Sequence, residues 1–269
     1  MTATWIAVLT ALFAWWFATG AILAVVKRAD AGGRKSHLWA VLLALPVLVL
    51  GIGLFADTLD RTEPFAVFAA FLASLMIWGW IEMAFLCGVI AGPNRWPTPQ
   101  GAGGAERFWR AWGAVAHHEL LLAGTAGAML WIAWGAPNPF AALIFAVLWG
   151  ARILAKLNLF LGVPRINTEF LPEALAHLPT HFRRRPMTAF LPVSILVLAA
   201  ATAWFAWAAA LAPDAYLALG WTLAAAIAGL AALEHLLMVV PLPDAQLWRW
   251  LLPAADPETS PKPPRERAD

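Results

Sequence analysis

The stretch "FAVFAAFLASLMIWGWIEMAFLCGVIA", Phe65–Ala91, runs for 27 residues with a single charged side chain, Glu82. Roughly 20 apolar residues in a helix cross the core of a bilayer. Lipid offers a backbone no hydrogen-bond partners, so such a run must close its bonds internally as a helix. The stretch therefore predicts a membrane-spanning helix with a carboxylate set inside it.

Six further segments read the same way: 5–26, 38–56, 111–134, 140–161, 187–211 and 216–240. The breaks between them gather Gly, Pro and charge, as in "KRADAGGRKSH", "GPNRWPTPQGAGGAER" and "THFRRRP". The chain is 62% hydrophobic and 13% charged. A soluble domain carries about 45–50% apolar and about 25% charged residues. The expected fold is all-α: a polytopic integral membrane bundle of about seven transmembrane helices over residues 1–252. A disordered tail follows over 253–269, where Pro and charge dominate. The opening "MTATWIAVLT" has no basic leader, so it reads as a retained first helix. Cys87 is the one cysteine, which excludes an intramolecular disulfide and leaves a small packing residue.

Lys and Arg set the orientation. The loop after the first span holds Lys27, Arg28, Arg34 and Lys35; the loop after the third holds Arg95, Arg107 and Arg110. Arg165, Arg183, Arg184 and Arg185 follow the fifth span, and Arg249, Lys262, Arg265 and Arg267 follow the last. The alternate loops hold Arg61 alone, beside Asp57, Asp60 and Glu63. This asymmetry places the N-terminus in the periplasm and the C-terminus in the cytoplasm. The basic face suits anionic lipid headgroups and does not indicate nucleic acid.

The chain has 17 tryptophans. Trp5, Trp39, Trp96, Trp109, Trp131 and Trp134 fall near span ends and read as an interfacial belt. Trp78 and Trp80 lie deep in the third span, beside Glu82. Before the tail, "LPDAQLWRWLLP" reads as a short surface helix.

Ionisable residues inside spans are costly and need a partner or a purpose. Here they are Glu82; His117, His118 and Glu119; Arg152 and Lys156; and Glu234 and His235. Counted from the expected span ends, all fall about 7–14 Å below the cytoplasmic surface. Arg152 and Lys156 stand i, i+4 and share a face. Adjacent residues on a helix point about 100° apart, so His117 and His118 cannot both face inward. His118 and Glu119, and Glu234 with His235, are the expected inward residues.

A charge-compensated network that fixes helix packing explains such a layer. Three functional readings also fit it. His118, Glu119, Glu82 and His235 are of the type that ligates a metal, with no Glu-x-x-His or His-x-x-x-His spacing among these four. A histidine can ligate the magnesium of a tetrapyrrole, with Trp78, Trp80 and Trp149 packed on the ring. A polar cavity can receive a lipid or isoprenoid headgroup, with acid–base chemistry on a Glu. The long loop after the fifth span adds Asn158, Asn167 and Glu169. Asn167 and Glu169 read either as the cap of a short helix or as a lid over the layer. No internal repeat is evident, which disfavours a transporter.

Four motifs carry a resemblance: "WGWIEMAFL" (Trp78–Leu86), "HHEL" (His117–Leu120), "AKLNLFLGVPRINTEFLP" (Ala155–Pro172) and "LEHLLMVVPLPDAQLWRW" (Leu233–Trp250). They are similar to the PuhE family of photosynthetic complex assembly proteins in purple phototrophic bacteria, over nearly the whole chain. The resemblance implies a multi-pass protein of the inner, intracytoplasmic photosynthetic membrane. It implies partnership with photosynthetic complex subunits or other assembly factors, and a link to bacteriochlorophyll or a precursor. It does not imply a defined set of site residues. An assembly factor and a membrane enzyme on a pigment or isoprenoid both remain open.

Overall fold

A computed structural model describes residues 3–166, 168 and 171–240. These form eight α-helices: α1 (Ala3–Asp30), α2 (Gly33–Leu43), α3 (Leu45–Thr58), α4 (Pro64–Leu86), α5 (Gly104–Ile132), α6 (Phe140–Leu161), α7 (Phe190–Ala210) and α8 (Ala215–Leu237). Short 3₁₀ turns at Glu173–Leu175 and Leu178–His181 punctuate the segment between α6 and α7. Among the described residues there is no β-strand; Val163 and Arg184 make an isolated bridge. The surface helix and the tail expected near the C-terminus fall outside the described residues.

Six segments are long and apolar enough to cross a membrane: α1, α2 with α3, α4, α6, α7 and α8. The chain is a multi-pass helical membrane protein. The count of seven read from the sequence is not reached by this measure. Its fourth span is α5, 29 residues long but carrying Glu106, Arg107, Arg110, His117, His118 and Glu119. These charges lower its hydropathy. The second span is broken at Ala44, because Pro46 sits in the first turn of α3 and cannot continue a helix begun upstream.

The third span ends earlier than its composition suggests. Gly88 takes left-handed backbone with φ 70°, and its N–H donates to Phe85 O at 2.8 Å. Val89 N–H donates to Ala84 O at 3.0 Å. This is a glycine-capped terminus, so α4 stops at Leu86 and "CGVIA" is loop. Glu82 therefore lies four residues from the helix end, not about nine. The start of α5 moves the other way: His118 stands fourteen residues into the helix rather than about seven.

The loop after α4 wedges against α5. Asn94 N–H donates to Gly113 O at 3.0 Å and Asn94 Nδ2 to Arg110 O at 2.8 Å. The N–H of His118 donates to Ala91 O at 3.1 Å. Gly92 allows this approach, since a β carbon there would lie 2.0 Å from Gly113 O. The wedge sets the rotation of α5: His118 is fully buried while His117 is exposed.

α4 is apolar all round and buried, the expected behaviour of a central helix. α3 packs on one side of it, α6 on another, and α8 contacts α1, α4, α6 and α7. Phe71, Phe140, Ile144, Leu223 and Ile227 form the core between α4, α6 and α8. Outward-facing Leu, Val and Trp side chains cover the periphery, with Trp131 83% and Trp134 88% exposed. Lipid is as apolar as leucine, so burial against a neighbour adds little over burial in the bilayer. Tight packing and polar contacts between helices must hold the bundle together.

The loops sort into two ends. At the basic end His37 joins α2 to α4: its Nδ1 lies 3.2 Å from Cys87 O and its Nε2 3.2 Å from Asp30 Oδ1. Arg95 donates to Gly88 O, Thr98 Oγ1 lies 2.7 Å from His181 Nδ1, and Arg165 N–H donates to Met238 O. At the other end Asn138 N–H donates to Leu59 O at 2.9 Å, and Tyr216 Oη to Pro137 O at 2.6 Å. There Arg61 is held by Asp57 and Glu63. α5 starts at the first end and finishes at the second.

His181 lies in the docked loop at the basic end. Burial pushes its imidazole down to about 4, and the neighbouring His177, Arg107 and Arg110 act the same way. The unfolded chain takes up this proton near 6.5, the folded one only near 4. Stability thus falls as pH drops through that window and levels off below it. Replacing His181 with Gln is expected to narrow the difference between the melting temperatures at about pH 7.5 and about pH 5 by several degrees. Thermal unfolding in mild detergent measures it; an unchanged difference would show that His181 is not the titrating group.

Candidate functional site

Five of the ionisable residues read from the sequence meet between α4, α5 and α6. Arg152 Nη2 donates to Glu82 Oε2 at 2.8 Å. His118 Nε2 lies 3.4 Å from Glu82 Oε1, and His118 Nδ1 lies 3.4 Å from Glu119 Oε1. Lys156 Nζ donates to Glu119 Oε1 and approaches His118 Nδ1 at 2.9 Å. Phe85 stacks on the imidazole with ring centres 4.2 Å apart, and Lys156 Nζ lies 5.1 Å from the same phenyl ring.

The partners settle the tautomer of His118. An ammonium group can only donate, so Nδ1 must accept from Lys156. The ring proton is then on Nε2, directed at Glu82 Oε1. Two carboxylates and two cations cancel across the site, with a neutral imidazole between them. This matters because an uncompensated charge in a dry bundle is prohibitive.

Two cavities border the ion pairs, one at each. One, of about 430 Å³, is lined by Glu82, Arg152 and Glu234 together with Trp78, Leu171 and Thr19. The other, of about 250 Å³, is lined by Glu119, Lys156, Trp149, Phe160 and His181. His118 has no exposed surface and lines neither; it touches the ion pair at each.

The other expected residues go elsewhere or reach the site indirectly. Glu234 faces the larger cavity and has no hydrogen-bond or ion-pair partner among the described residues. His235 turns away, as adjacent helix positions must; its Nδ1 lies 2.8 Å from Ala231 O within its own helix. Asn158 donates to Leu154 O and to Ser194 Oγ at 3.0 Å, so it links α6 to α7 and not to the ionic layer. Asn167 and Glu169 lie outside the described residues. The loop that carries them reaches the larger cavity through Leu171.

The metal reading loses its geometry. Glu82 and Glu119 sit at opposite edges of the imidazole, each held by its own cation, and His235 is elsewhere. Among the described residues, no three His, Cys, Asp or Glu side chains converge as a chelating group. Trp80 is committed to structure: its Nε1 donates to Val41 O at 3.2 Å, tying α4 to α2. Trp78 packs edge-on against Phe145 and borders the larger cavity.

Residues 1–259 match the family described as "Protein of unknown function (DUF3623)". The chain belongs to the DUF3623 family. An "uncharacterized 30.4 kDa protein in puhA 5′ region" of Rhodobacter capsulatus is 45% identical over 256 residues, which is 95% of this chain and 93% of the relative. No solved structure matches.

In this DUF3623 chain, sequence reasoning missed Phe85, Ser194 and Leu171. Phe85 could have been found, because it lies three residues from Glu82 on the same face of a helix. Ser194 and Leu171 carried no such signal; long-range packing brings them in.

The Glu82–Arg152 pair yields a direct test. Glu82→Gln removes the charge and keeps the shape, leaving a guanidinium uncompensated. It should cost roughly 3 kcal/mol, at the low end for a broken buried pair because Arg152 borders a cavity. Glu82→Gln with Arg152→Met should recover much of that loss. Melting temperatures in mild detergent compare the three proteins, and a single variant as stable as the parent would show that the pair carries no structural weight.

Proposed function

We propose that this chain is an inner-membrane assembly factor for photosynthetic reaction-centre and light-harvesting complexes, of the PuhE type. In this reading it handles pigment or subunits at the Glu82–His118–Glu119 layer. The observation that carries it is the imidazole with no exposed surface, flanked by two ion pairs with a cavity at each. Support also comes from the four motifs quoted above. The Rhodobacter capsulatus relative, named for the puhA 5′ region, adds genomic context.

The site narrows how a bacteriochlorophyll or precursor is held. His118 Nδ1 faces Lys156 and Nε2 faces Glu82. Axial ligation by this histidine would break both arrangements.

The same reading makes α5 the seventh crossing, with the N-terminus in the periplasm and the C-terminus in the cytoplasm. Its support is the Arg- and Lys-rich character of one end of the bundle. Single cysteines at Gln100 and Ala136, which flank α5, in a Cys87→Ser background, test this. In spheroplasts a membrane-impermeant maleimide should label position 136 and leave position 100 unlabelled until lysis. The reverse pattern would invert the topology, and the same response at both positions would remove α5 from the count of crossings.

Function is tested in a phototrophic host whose own copy is deleted. Complementation with Glu82→Gln or His118→Ala should leave reaction-centre and light-harvesting absorbance at least about tenfold below that with the parent gene. Full absorbance, with the variant protein present in the membrane, would reduce the layer to helix packing.

An enzymatic reading draws on one specific feature. His118 stands between two carboxylates, an arrangement that can move a proton across the ring. Conversion of a chlorin or prenyl substrate by the purified protein would replace the assembly-factor reading with this one.

A further inference from the structure

The larger cavity does not end at its polar residues. A groove of about 780 Å³ runs between α1, the break at Ala44 and α4. Ala18, Ile22, Leu75 and Gly79 line both the groove and the 430 Å³ cavity, so the two adjoin along the α1–α4 seam, where the side chain of Ile22 lies over Gly79. Along α1 the groove extends from Ile6 to Val25, about 28 Å of helix. That nearly equals the roughly 30 Å of a hydrocarbon core. Its lining is apolar apart from Thr10 and the indole of Trp80, whose N–H is already bonded to Val41 O. Each volume falls within the range of about 300–1,000 Å³ common for small-molecule sites.

The polar end has unmet hydrogen-bonding capacity. Glu82 is more than nine-tenths buried, and its Oε1 is approached only by His118 Nε2, at 3.4 Å, which leaves it capacity to accept a shorter hydrogen bond. Arg152 Nε is also buried without a hydrogen-bond partner. Glu234 faces the same space. Such groups are costly to leave unsatisfied.

Charge selects what can satisfy them. Glu82 and Arg152 cancel, and Glu234 adds a carboxyl with no cation of its own. A phosphate or diphosphate would set several negative charges beside Glu82 and Glu234, with the one guanidinium of Arg152, already paired to Glu82, to offset them. A hydroxyl donates to a carboxylate and accepts from a guanidinium without any change in net charge.

We propose that groove and cavity together bind a single-chain amphiphile, a long-chain alcohol whose tail lies in the groove and whose hydroxyl sits among Glu82, Arg152 and Glu234. The proposal rests on the reading of the buried layer as a binding site and names its occupant. The tail is isoprenoid or fatty, and the chemistry of the head is the same for both.

The test uses the full chain in lipid nanodiscs and a photoreactive C20 prenyl alcohol carrying a diazirine in its tail. After irradiation, adducts are mapped by peptide mass spectrometry. Adducts should concentrate on the groove-facing residues of α1 and α4. Geranylgeraniol or oleyl alcohol should displace the probe at about one-tenth the concentration needed for geranylgeranyl diphosphate or less. The better of the two alcohols identifies the tail. Ala18→Phe, which fills the junction, and Glu234→Leu should each lower labelling about tenfold. Even labelling over every lipid-facing helix, or equal displacement by the diphosphate, overturns the proposal. The displacement comparison uses the unaltered protein, so it holds whether or not a variant folds. If complex levels in cells depend on Glu82 while the alcohol does not bind, the occupant is wrong and the functional reading stands.

Discussion

Glu82, Glu119, Arg152 and Lys156 can lie inside this bundle only because they cancel, and His118 can lie among them only because it is neutral. That balance constrains three helices at once. α4 supplies one carboxylate, α5 the other with the imidazole, and α6 both cations on one face. A helix that rotated or slid would strand a charge, at a cost well above that of an ordinary packing defect. In a bilayer, where apolar contact between helices competes with equally apolar lipid, this electrostatic fit does what a hydrophobic core does in water. The packing around it follows: Phe85 lies flat on the imidazole, and Ala91 reaches in to take the His118 amide.

The balance also explains why the site is bordered by space. Arg152 and Lys156 each turn part of their surface to a cavity, a different one for each. A network with every donor and acceptor paired would be inert. This one leaves Arg152 Nε without a hydrogen bond, gives Glu82 Oε1 only the distant His118 Nε2, and sets Glu234 on the same cavity. Those atoms give the site its capacity for a ligand.

Much of this was readable from the chain itself. Against an almost uncharged background, Glu82, His118, Arg152 and Lys156 stand out, and the distribution of Arg and Lys orders the helices. Rotation and register were not readable, because they depend on contacts between distant parts of the chain. Gly88 shortened a run whose composition looked continuous to Ala91. Pro46 broke another. The choice between His117 and His118 was made by a loop residue, Ala91, more than twenty positions upstream. His235 and Asn158 are as conspicuous in the sequence as His118, yet their partners are their own helix and Ser194. Polarity within an apolar run marks a residue that needs an explanation; only the fold decides between a site and a staple.

The distance along the chain between Glu119 and Lys156 bears on how this protein is made. The two lie 37 residues apart, on consecutive helices. During synthesis α5 is complete before its counter-cation leaves the ribosome. A newly made α5 carries Glu119 without the ammonium group that offsets it in the finished fold. α6 brings both the missing cation and a strongly apolar surface. The pair between Glu119 and Lys156 therefore closes only after α6 has followed α5 out of the ribosome.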